Sequence, residues 1–69
     1  MTKIEGVTVR ISRRAAESTF DVRFLPAPES GPGGFTFAFY GAERPVDPEE
    51  VFSEVQRTIL AFREDGFPL

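Results

Sequence analysis

Residues 35 to 65 read FTFAFYGAERPVDPEEVFSEVQRTILAFRED, and within them the spacing of apolar residues changes from every second position to every third and fourth. A period of two belongs to a strand with one buried face, and a period of three to four belongs to an amphipathic helix. The change falls near residue 45. It predicts a strand over Phe35 to Tyr40, with Phe35, Phe37 and Phe39 inward, and a single helix over Asp47 to Asp65. The helix start is marked several times over. Asp47 can cap free amides, Pro48 suits the first helical position, Glu50 closes a capping box and Val46 can staple onto Val51. Glu49 and Glu50 also suit the positive end of the helix dipole. Val51, Phe52, Val55, Ile59 and Phe62 form the expected apolar stripe, and Gly66 with Pro68 ends the helix.

Upstream, the same alternation occurs twice. Val7, Val9 and Ile11 point one way against Thr8, Arg10 and Ser12, and Phe20, Val22 and Phe24 point inward against Thr19, Asp21 and Arg23. Ile4 has the wrong parity for the inner face unless a bulge at Gly6 turns it inward. The register expected for the first two strands sets Arg10 opposite Asp21 and Val9 opposite Val22, avoiding an Arg10–Arg23 like-charge pair. For the next pair it aligns Phe24 with Phe35, Val22 with Phe37 and Phe20 with Phe39. Arg13 to Ser18 reads as a short polar turn. Residues 25 to 34, LPAPESGPGG, read as a flexible Pro/Gly-rich loop, long for a hairpin. The expected fold is α+β: a three-stranded antiparallel meander with one carboxy-terminal helix on one face.

Composition narrows the chemistry. The 69 residues contain no Cys, His or Trp, so disulfides, thiolate zinc sites and the commonest general bases are all missing. A chain this short makes one domain and buries only about 60% of its unfolded surface, so one core carries it. No apolar run approaches a membrane span and the amino terminus lacks a signal pattern, which predicts a cytoplasmic protein. Ser53, Thr58 and Tyr40 have no base beside them, and the acids lack the loop spacing of a calcium or magnesium site. Catalysis, cofactors and resident metals are therefore not expected.

Charge carries the functional expectation. Residues 1 to 25 hold five basic and three acidic side chains, and residues 26 to 69 hold three basic and eight acidic ones. Glu43, Asp47, Glu49, Glu50 and Glu54 gather near the helix start. Arg10, Arg13, Arg14 and Arg23 are expected on the open sheet face or its hairpin turn, with Tyr40 beside them. The first reading is a protein-binding module whose contact is the acidic surface of Glu43, Glu49 and Glu54 (which suits a basic partner), the loop at 25 to 34, or the exposed sheet edge. In size and charge the chain is similar to phage-encoded inhibitors of nucleic-acid-handling machinery, anti-CRISPR proteins among them, without a shared motif. The alternative is a small DNA-binding or accessory protein using Arg10, Arg13, Arg14, Arg23 and Tyr40. In layout it resembles the ethylene-response and integrase arm-binding domains, which read the major groove with a three-stranded sheet. A net charge of −3 and a single lysine oppose that alternative. Two unprotected sheet edges, with the apolar tail at Phe67 and Leu69, would also serve a symmetric homodimer.

Overall fold

The computed structural model describes residues 1–14, 18–39 and 46–69. Strands β1 (Thr2–Ile4), β2 (Val7–Arg13), β3 (Thr19–Phe24) and β4 (Gly34–Ala38) precede one helix, α1 (Pro48–Glu64). The strands form an antiparallel meander in the order β1-β2-β3-β4. The expected α+β arrangement is present, with one strand more than the sequence pattern implied.

The additional strand comes from a tight turn rather than a bulge. Glu5 and Gly6 both have positive φ, 52° and 79°, as in the two-residue turns whose backbone twist matches that of the flanking strands. Ile4 then pairs with Val7 and Thr2 with Val9. The reversal changes the parity, so Ile4 enters the core.

The parity reading of the other strands holds. Val9, Phe20, Val22 and Phe24 are buried with Val51, Val55 and Ile59 of α1, and Val7, Ile11, Phe35, Phe37, Phe39 and Phe62 pack around them. Full burial of such a side chain stabilises by about 1.5–3 kcal/mol. Phe52 departs from the expected stripe and is exposed. Val51, Val55, Ile59 and Phe62 already fill the arc that faces the sheet, and Phe52 falls on its flank.

Both expected registers are shifted by two residues. In the β2–β3 ladder Val9 lies opposite Phe24, Ile11 opposite Val22, and Arg10 opposite Arg23. Repulsion across an exposed pair is worth at most about 1 kcal/mol. Against it, the observed register carries the Arg13 guanidinium to 5.9 Å from the Phe20 ring centre and Arg14 to 3.6 Å from Asp21. In the β3–β4 ladder Phe20 lies opposite Phe37, Val22 opposite Phe35, and Arg23 opposite Gly34. A β carbon at Gly34 would lie 2.1 Å from the Val22 carbonyl oxygen, so this register puts glycine at a point where the two backbones leave no room for a side chain. The ring contacts expected for the other register persist as diagonals, Phe24–Phe35 at 5.9 Å and Phe20–Phe39 at 6.1 Å. A Phe20–Phe37 stack at 5.4 Å is added to them.

The helix ends follow their local signals. Asp47 accepts a hydrogen bond from the Glu49 amide at 2.9 Å, satisfying one of the amides left free in the first turn. Asp47→Ala should lower stability by about 0.5–2 kcal/mol, read as a reduced thermal midpoint; an unchanged midpoint would show that another group caps the helix. At the other end Gly66 donates to Arg63 and Phe67 to Phe62, the paired bonds of a helix closed by a left-handed glycine. The tail folds back on its own core: Phe67 meets Phe62 edge-on at 5.4 Å, and Leu69 packs on the cluster. Arg63 fastens this corner, donating to the main-chain oxygens of Glu5 and Leu69.

Candidate functional site

The first turns of α1 carry acids on one flank because Glu50 and Glu54 are four residues apart, one helical turn. Glu49 lies on the exposed side of the same turn. The last residue of the described strand segment, Phe39, faces this flank across a groove of about 450 Å³, whose lining also includes Asp47, Ser53 and Arg57. Arg57 lies 3.7 Å from Glu54. The Arg57 end of the pair is largely in water, so it holds the half-buried Glu54 only weakly. Among the described residues the groove thus has an aromatic wall, an acidic wall and one cation, Arg57. Such a surface accepts an extended alkyl or aromatic side chain next to an ammonium or guanidinium group.

Glu49 and Glu54, expected as binding residues, come together here. Glu43, the third, lies outside the described residues, as does Tyr40 of the alternative face. Phe39, Ser53 and Arg57 are not among the binding residues expected from the sequence, where Ser53 is weighed only as a nucleophile without a base. Phe39 reads there as core by parity, and only the position of the helix shows that the end of β4 is left half-covered.

The open sheet face is assembled by the outward parity of each strand. Arg10 and Arg23 are exposed and directly opposite one another. Arg14 is paired with Asp21 at 3.6 Å, and Lys3 joins the face from β1 by the same alternation. Arg13 does not belong to this set. Its odd number places it with Val9 and Ile11, and it turns over Phe20 on the core side. There it borders a second, more apolar recess of about 350 Å³ lined by Ile11, Phe20, Val51 and Phe52.

Among the described residues no cluster of His, Cys, Asp and Glu could hold a metal ion, and no helix is long and apolar enough to cross a membrane. No protein-family model, curated protein or solved structure matches the chain.

Proposed function

We propose that the protein is a non-enzymatic binding module that receives a basic segment of a partner protein in the groove between Phe39 and the start of α1. The observation that supports this reading is the joint lining of that groove by Phe39 and by Glu49, Glu50 and Glu54. An aromatic anchor site rimmed by one sign of charge favours an amphipathic cationic segment, with the charges steering its approach. Basic surfaces that handle nucleic acid are the natural targets, which is the reading in which the protein acts as a phage-type inhibitor.

The test is a pair of double reversals on the partner captured from the source cell. Glu49→Lys with Glu54→Lys should weaken binding by about tenfold or more, whereas Arg10→Glu with Arg23→Glu should leave it nearly intact. Glu50 is left unchanged because of its place in the first turn. Loss of binding with the arginines and retention with the glutamates would overturn the proposal.

That opposite result would favour a second reading, supported by its own observation. Arg10 and Arg23 are opposed across the ladder, and neither has an ion-pair partner among the described residues. A phosphate or carboxylate between them would relieve their repulsion. Duplex DNA or an acidic protein would then be the ligand, and affinity for DNA should fall with salt, though less steeply than for a wholly basic domain.

A further inference from the structure

β4 is an outer strand of the sheet, and its backbone shows which groups face outward. Phe24 donates to Gly33 at 2.9 Å and Phe39 donates to Ser18 at 3.0 Å. Antiparallel ladders alternate, so the odd-numbered residues of this segment bond to β3, and Gly34, Thr36 and Ala38 direct their N–H and C=O groups away from the sheet. Among the described residues no strand pairs with that side. Natural edges are normally blocked by lysine, proline, an inward charge or a bulge. β1 carries Lys3, whereas Gly34 to Phe39 carries no charge and no proline.

The side chains of β4 are underused in the same place. Phe20 and Phe24 of β3 are buried, while Phe35, Phe37 and Phe39 are only half-buried, because α1 lies nearest to β1 at the opposite edge. The strand is also close to palindromic about Thr36: Phe35 and Phe37 flank it, and the small residues Gly34 and Ala38 lie beyond. A twofold interface requires that kind of self-complementarity.

From these features we infer that β4 is a homodimerisation strand, pairing antiparallel with β4 of a second copy of this chain about a twofold axis at Thr36. In this register Thr36 lies opposite the partner's Thr36, and Gly34 opposite the partner's Ala38. All the outward-facing groups of the strand are then bonded. Phe35 lies opposite the partner's Phe37 in a non-hydrogen-bonded pair, where side chains are closest, and the aromatic row continues across the axis. A slip of two residues toward the loop would bring Pro32, which has no N–H, opposite Ala38. The axis runs perpendicular to the sheet, so both basic faces lie on one side of the dimer and both helices on the other.

Sedimentation equilibrium of the full chain should show the mass rising from 7.7 kDa toward twice that value with concentration. Thr36 is exposed and points away from the core, so Thr36→Lys should retain the circular dichroism spectrum. Placing like charges at the axis should weaken the dimer by about fivefold. Mixing Thr36→Lys with Thr36→Glu should restore a mixed dimer, an outcome specific to a register that sets position 36 against itself. Thr36→Cys, close to isosteric in a chain without cysteine, should form a disulfide-linked dimer under mild oxidation, and Lys3→Cys on the other edge should not. A wild-type mass that stays at 7.7 kDa, or a dimer that Thr36→Lys leaves intact, would overturn the inference.

Discussion

Ile59→Asp should abolish the folded state, while Phe52→Asp, one residue off the same helical stripe, should leave it in place. Ile59 is 0% exposed and Phe52 is 43% exposed. A carboxylate at position 59 would sit among Val9, Val22, Phe24 and Val55 with no partner, and burying an unpaired charge costs about 4 kcal/mol or more. A domain of this length has roughly 3–10 kcal/mol in total. The loss therefore consumes most or all of the stability, and circular dichroism should show an unfolded chain. Phe52→Asp should change stability by about 1 kcal/mol at most, as surface changes do. A native spectrum for Ile59→Asp beside an unfolded one for Phe52→Asp would mean that the helix packs on its other flank.

The second large effect has an unusual sign. Replacing glycine by alanine inside a strand ordinarily gains about 0.5–1 kcal/mol, because glycine loses more freedom on folding. Gly34→Ala should instead lose about 1–3 kcal/mol. Its β carbon would lie 2.1 Å from the Val22 carbonyl oxygen and 3.1 Å from the Arg23 α carbon. Both obstacles are backbone, so relief requires β3 and β4 to separate. Gly33→Ala is the control, since its nearest obstacle is the Ala27 methyl at 3.9 Å. Urea midpoints should fall for Gly34→Ala and stay level or rise for Gly33→Ala. A raised midpoint for Gly34→Ala would contradict the close approach of the two strands.

Gly34 also shows what the sequence could and could not convey. Helix onset was legible because its signals are local: Asp47, Pro48 and Glu49 act within one turn of one another. Strand facing was legible because alternation is a property of each strand alone, and Phe20, Val22 and Phe24 could be assigned without knowing their neighbours. Register depends on two strands at once. An exposed Arg10–Arg23 contact weighs little in that choice, because water and separation make it weak; the tight backbone approach at Gly34 exists only once the two strands lie side by side. β1 was hidden for a different reason. It is only three residues long, and Glu5-Gly6 is a less recognisable turn than Asn-Gly. In the groove, Glu49 and Glu54 could be anticipated from charge, but Phe39 could not, since its exposure depends on where the helix lies. Arg13 could have been placed correctly by parity alone.

The segregation of charge has a consequence for how the molecule is perceived at different ionic strengths. At physiological salt, fields decay over about 8 Å, and even the shortest extent of the Cα trace is 17 Å. A body approaching the sheet therefore experiences Lys3, Arg10, Arg23 and the Arg14–Asp21 pair almost without the glutamates of the helix, and meets a net positive surface. In dilute buffer the decay length grows to about 30 Å, longer than that extent, and the far side is felt through the near one. The acids behind the formal net charge of −3 then also bear on an approaching anion and oppose it. For an anionic ligand at the sheet, removing salt strengthens attraction to the arginines and repulsion from the acids together, so the two dependences partly cancel. The domain is a dipole whose poles act separately at physiological salt and jointly in dilute solution.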